Sequence, residues 1–218
     1  MLKSIKDFLS KILNSIFPER PDFRKINSLS IEDINSLPKS GNLETFDWIF
    51  PLFQYKNETV RSIIWELKYK ENTRPIEYIG KLMYESIIAQ ISDIVIFDND
   101  AIFTIIPIPL YPLKKFERGF NQSELIAKSI IANDNERKLL YAPQWLEKIK
   151  DTPKQSRSDN KEERLQNLKG CFKANPKVNN YYVFLIDDVT TTRSTLSEAR
   201  KTLFESGSKD VFGFTIAH

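Results

Sequence analysis

Between residues 183 and 196 the chain reads VFLIDDVTTTRSTL. An apolar run gives way to two adjacent aspartates, and then to a turn in which Thr190, Thr191, Thr192, Ser194 and Thr195 surround a single Arg193. Two neighbouring carboxylates repel each other and repel any phosphate brought near. They become useful where they accept hydrogen bonds from a sugar diol or organise a divalent cation that offsets phosphate charge. Hydroxyl groups just before a helix supply the opposite polarity, because the free N–H groups of a helix N-terminus favour an anion. The stretch reads as a two-part site. Asp187 and Asp188 serve ribose hydroxyls and Mg2+, directly or through water, and residues 190–195 serve a terminal phosphate. Thr195 and Glu198 also match a T-x-x-E capping box, which accounts for those two residues and leaves the acids and the three consecutive threonines unexplained.

A second charged group precedes this one. Lys114, Lys115 and Arg118, with Gly119, fall on what reads as a short loop between an apolar strand, AIFTIIPIP, and a helix beginning near Asn121. A solvated basic turn is the plain alternative. The elements around both groups alternate. Residues 58–69 carry Val60, Ile63, Ile64 and Leu67 on one helical face, and Pro75 suits the first turn of a further helix. YYVFLI reads as a strand, LSEARKTLFES as a helix closed by Gly207, and DVFGFTIA as a last strand. Strand, loop, helix and strand in succession predict an α/β fold: an open, mostly parallel sheet flanked by helices. In such sheets ligands bind beyond the carboxyl ends of the strands, where residues 187–195 fall.

Composition removes several chemistries. The 218-residue chain has one cysteine, Cys171, and one histidine, His218, so an internal disulfide and a Cys/His zinc cluster are excluded. A Ser-His or Cys-His pair would have to recruit residue 218. The net charge of +3 is mild for a nucleic-acid-binding domain, and a cytoplasmic location fits the cysteine usage. Residues 1–45 read as an N-terminal extension: an amphipathic helix, MLKSIKDFLSKILNSIF, that is neither signal peptide nor membrane span, then a proline-containing linker over 18–45. Residues 46–218 form the main domain.

LIDDVTTTRSTL resembles the phosphoribosyl-pyrophosphate (PRPP) loop of type I phosphoribosyltransferases. Together with IPIPLYPLKKFERGFNQSELIAKSI, TPKQSRSDNKEERLQNLKGCF and the ELKYKEN segment, it resembles the ComF (competence protein F) family from about Tyr55 onward. The resemblance implies a type I phosphoribosyltransferase-like fold and a Mg2+-dependent transferase acting on PRPP, associated with DNA uptake in natural transformation. It assigns Asp187, Asp188 and Arg118 to catalysis. Thr190, Thr191, Thr192, Arg193, Ser194 and Thr195 hold the 5-phosphate, and Lys114, Lys115, Arg118 and Gly119 hold pyrophosphate. Arg157 and Arg164 sit on a lid that excludes water. The expected partners are PRPP or ribose 5-phosphate, single-stranded DNA or DNA-uptake proteins, and a second copy of the chain. Two competing readings are a non-catalytic PRPP or nucleotide sensor and a single-strand-binding accessory protein that uses Lys114, Lys115 and Arg118 with Phe116 and Phe120. Two departures stand out. The family's four-cysteine zinc ribbon is missing, and Arg193 replaces the loop glycine, which costs about 1–2 kcal/mol if a left-handed conformation is required.

Overall fold

Strands buried at every position need cover on both faces, and Phe103–Pro107 and Val183–Ile186 are of this kind; the one polar side chain among them, Thr104, donates its hydroxyl to the Leu140 carbonyl. The computed structural model describes residues 26, 28–41, 47–69, 74–151, 168–190 and 193–218. Strands β1 (Ile49–Phe53), β2 (Phe103–Pro107), β3 (Leu139–Tyr141), β6 (Tyr182–Val189) and β7 (Asp210–Ala217) form one parallel sheet in the order β1-β7-β6-β2-β3. β4 (Leu146–Lys148) and β5 (Phe172–Ala174) pair antiparallel as a separate hairpin. The helices are α1 (Ile31–Asn35), α2 (Glu58–Tyr69), α3 (Arg74–Val95), α4 (Pro112–Arg118), α5 (Gln122–Ala132) and α6 (Ser194–Glu205).

Alternation along β6 divides the core. Phe184 and Ile186 pack with α2, α3 and α5 through Ile64, Leu67, Met83 and Ile126. Val183 and Leu185 pack with Leu196, Ala199 and Leu203 of α6 and with Trp145 and Phe172 of the hairpin region. Val60, Ile63, Ile64 and Leu67, the face expected from spacing, are all buried, each contributing roughly 1.5–3 kcal/mol. No helix among the described residues is long and apolar enough to cross a membrane.

The structure corrects three expectations. Residues 26 and 28–41 of the expected linker belong to the folded unit. Ile26, Ile34 and Leu37 are buried in the main core, Ser30 and Asp33 cap α1 reciprocally, and the Gln54 amide donates to the Pro38 carbonyl at 3.0 Å. Lys114, Lys115 and Arg118 lie on a helix, α4, rather than a loop; Pro112 opens it and Gly119, at φ 83°, closes it. The Thr195–Glu198 capping box does not form. α6 starts from Arg193 with no side-chain cap, and the Glu198 carboxylate instead accepts from the Gly170 amide. The N-terminal helix expected over residues 1–16 lies outside the described residues.

Candidate functional site

Because the sheet is parallel, the chain leaves β2, β6 and β7 along one edge, and the register sets Pro107 beside Ile186, Asp187 beside Thr215 and Val189 beside Ala217. The acid pair ends the central strand β6, with the basic helix α4 following its neighbour β2 on the same edge. The turn after β2 is tied to the start of α5 by Asn121, whose side-chain amide donates to the Ile108 carbonyl at 3.0 Å while its Oδ1 accepts from the Ser123 amide at 3.1 Å.

Each aspartate has its own neighbours. Asp187 Oδ1 accepts from the Ser123 hydroxyl at 3.0 Å and from the Asp188 amide at 2.9 Å. Burial and then the adjacent Asp188 charge push the Asp187 carboxyl up to about 7, against the pull of those hydrogen bonds and of Lys68. Asp188 Oδ2 pairs with Lys68 Nζ at 2.9 Å, and its Oδ1 accepts from the Val189 amide at 2.7 Å. Burial works against the Lys68 charge, but Asp188, helped by Asp187 and Tyr55, outweighs it and raises the pKa of the ammonium.

The loop that follows is partly described. The Thr190 amide donates to the Ala217 carbonyl at 3.1 Å, and its buried hydroxyl has no hydrogen-bond partner among the described residues. Thr191 and Thr192 lie outside the described residues. Arg193 adopts the left-handed conformation, at φ 60° and ψ −7°, and its guanidinium lies 3.2 Å from His218 Nε2. Burial, and then the Arg193 charge, lower the His218 pKa, which keeps the ring neutral and able to accept from Arg193. Ser194 is buried and Thr195 half-buried in the first turn of α6, where backbone N–H groups have no partner within the helix.

On α4 the lysines are engaged. Lys114 pairs with Asp151 at 2.9 Å and Lys115 with Glu124 at 2.6 Å, whereas Arg118 and Gly119 are exposed. Asp151 leads into residues 152–167, which join β4 to β5; Arg157 and Arg164 lie there, outside the described residues. Spacing alone did not reveal Ser123, Lys68, Lys148 or His218. Burial, then the like charge of Lys114, lowers the Lys148 pKa against the pull of Cys171, Asp187 and Asp151, so Lys148 belongs to the same electrostatic neighbourhood. Lys68 lies in the ELKYKEN segment, which carried a resemblance but no role. No three His, Cys, Asp or Glu side chains among the described residues converge as a cation cage.

A parallel five-stranded sheet with helices on both faces is the architecture of a type I phosphoribosyltransferase-like α/β protein. Over 115 residues the chain is 34% identical to competence protein F of Haemophilus influenzae, a match covering 49% of the chain and 46% of that protein. Over 107 residues it is 28% identical to the DNA utilization protein YhgH of Salmonella typhi, covering 49% and 45%, and YhgH of Escherichia coli K12 is 28% identical over 109 residues, with the same coverage. No family model matches the chain. The chain is similar to these competence and DNA-utilization proteins, and it spans about half the length of the relatives it matches.

The raised Asp187 pKa has a consequence for stability. In an unfolded chain this carboxyl titrates near about 3.9, so between that value and about 7 the folded protein holds a proton that the unfolded chain has lost. Stability from this group is complete at low pH and falls as pH rises through that window. Asp187→Asn, which keeps an oxygen for Ser123, should therefore be more stable than wild type at about pH 8 by on the order of 1–2 kcal/mol, with the difference vanishing toward about pH 4. Urea unfolding of both proteins across this range checks it; parallel pH curves would contradict it.

Proposed function

We propose that the chain binds PRPP or ribose 5-phosphate at the carboxyl edge of β6 together with Mg2+, and that it serves DNA uptake as a phosphoribosyltransferase-type protein. The observation that carries this reading is the β6–α6 connection. Two carboxyl groups lie at the end of a central strand, a buried Thr190 hydroxyl lacks a partner among the described residues, and α6 begins at Ser194.

In this reading the Asp187 and Asp188 carboxylates accept hydrogen bonds from the ribose 2- and 3-hydroxyls and hold the ring in place. Thr190, Ser194 and Thr195, with the N–H groups at the start of α6, receive the 5-phosphate. Arg118 and Gly119, with Lys114 and Lys115, meet the pyrophosphate. The donor set suits Mg2+, which prefers oxygen ligands, retains several waters and is commonly bound through one or two carboxylates plus substrate phosphates. When bound, Mg2+ offsets the pyrophosphate charge and makes it a better leaving group. Two carboxyl groups turned toward a pyrophosphate oppose its approach unless a cation offsets the charge, so phosphosugar binding depends on Mg2+. The names of the relatives, competence protein F and DNA utilization protein, support the DNA-uptake context.

Calorimetry with PRPP, with and without Mg2+, tests the site. Binding should require the cation, and PRPP at a hundredfold excess over Kd should add about 2.7 kcal/mol to the folding stability. The double variant Asp187→Asn with Asp188→Asn should lose binding and still unfold cooperatively. Equal binding in EDTA and in Mg2+ would count against this arrangement. Pyrophosphate release across a panel of bases separates a transferase from a sensor that binds without turnover.

One further observation favours a second reading. On α4, Leu113 is 63% and Phe116 88% exposed, flanked by Lys114, Lys115 and Arg118. Cations interleaved with an exposed aromatic ring form a surface for stacking unpaired bases. Phe116→Ala should weaken binding of a labelled single-stranded oligonucleotide by about 1–3 kcal/mol in a fluorescence-anisotropy titration and leave PRPP affinity unchanged; unchanged oligonucleotide affinity would remove this reading.

A further inference from the structure

The Lys68–Asp188 pair is poorly explained as a stabilising contact. Lys68 comes from the last turn of α2, far along the chain from β6, and its side chain retains 30% exposure while that of Asp188 retains 14%. For a largely buried pair such as this, the cost of taking both charges out of water offsets much of their attraction, so its net contribution to stability is small. Its position is informative. Asp188 is already offered a main-chain donor, the Val189 amide, on Oδ1, and Lys68 Nζ takes the other oxygen at 2.9 Å. The same positive charge also acts on Asp187, against the burial and the Asp188 charge that discourage that carboxyl from ionising. Lys68 thus supplies from within the chain the charge that a divalent cation would supply from outside.

We propose that Lys68 is an internal counter-cation that closes the acid pair in the ligand-free protein and must yield Asp188 before a divalent cation and phosphosugar bind. The inference rests on the reading of the site given above. An ammonium group and a divalent ion cannot both occupy the contact side of Asp188 Oδ2, so the two compete, and the ion pair sets a threshold that excludes free cations. PRPP, which brings pyrophosphate and hydroxyl ligands of its own, passes that threshold together with its cation. Once displaced, Lys68 stays at the rim of the site as a positive group beside the incoming anion. Competition of this kind makes affinity for the cation alone lower than the two carboxylates would otherwise give, and raises the selectivity for cation and phosphosugar together.

Mn2+ binding to the full chain, read from the electron paramagnetic resonance signal of the free ion with no phosphosugar present, tests this directly. Lys68→Met should bind Mn2+ at least about fivefold more tightly than wild type, Lys68→Arg should stay near wild type, and adding Asp188→Asn to Lys68→Met should abolish the gain. A second measurement needs no loss of the ion pair. In wild-type protein carrying 13C-labelled lysine, the Lys68 Cε resonance, assigned by its disappearance in Lys68→Arg, should move toward that of solvent-exposed lysines when PRPP and Mg2+ are added together. Equal or weaker Mn2+ binding by Lys68→Met, or an unmoved Lys68 resonance in protein saturated with PRPP and Mg2+, overturns the proposal. The proposal and the site reading fail separately. If calorimetry finds PRPP and Mg2+ bound while Lys68 stays paired, only the counter-cation role is lost, whereas absence of PRPP binding by wild type removes the site reading and this inference with it.

Discussion

Two carboxyl groups stand next to each other at the end of a strand whose preceding residues are buried on both faces, and their charge has to be met by groups brought from other parts of the chain. Ser123 from α5 donates to Asp187, and Lys68 from α2 pairs with Asp188. The rest of the architecture makes these contacts possible. α2 and α5 pack on the same core as Phe184 and Ile186 of β6, and Asn121 fixes the start of α5 against the end of β2. If α5 shifted on the sheet, the Ser123 hydroxyl would leave Asp187, and the burial that already pushes that carboxyl up to about 7 would act unopposed by it.

The elements that announce themselves locally were the legible ones. DVFGFTIA is β7 from its first residue to its last, and the helical face of Val60, Ile63, Ile64 and Leu67 is buried as its period requires. β1 was not legible, because Pro51 sits inside it; the strand tolerates proline by lying at the edge of the sheet. The three-residue strands β3, β4 and β5 are too short to show a period. α4 was concealed by its charged sequence, although Pro112 and Gly119 mark its two ends. The acids and the hydroxyl loop were visible because they are contiguous. Lys68, Ser123 and His218 were not, since each reaches the site only through tertiary packing. Thr195 and Glu198 show the opposite error: a local pattern suggested a cap, and a distant backbone group, the Gly170 amide, took the carboxylate instead.

Arg193 now has a physical description. It occupies the left-handed region that glycine enters without penalty, so holding this conformation costs backbone energy, about 1–2 kcal/mol for a residue bearing a side chain. Its guanidinium lies against His218 Nε2, and His218 is anchored in turn by its amide to the Phe53 carbonyl and by its carbonyl to the Tyr55 amide. The loop that receives the phosphate in the proposed function is thereby tied, through Arg193, to the ends of β1 and β7. A glycine at this position would relieve the strain and give up that tie.

The central claim is that a phosphosugar sits on the β6–α6 connection. Its most direct test is a crystal structure of the protein with ribose 5-phosphate and Mg2+. The account predicts the phosphate against the Thr190 hydroxyl and the first N–H groups of α6, with the ribose diol on Asp187 and Asp188. A phosphate held instead by the basic side chains of α4, with the β6–α6 loop free of ligand, would contradict it.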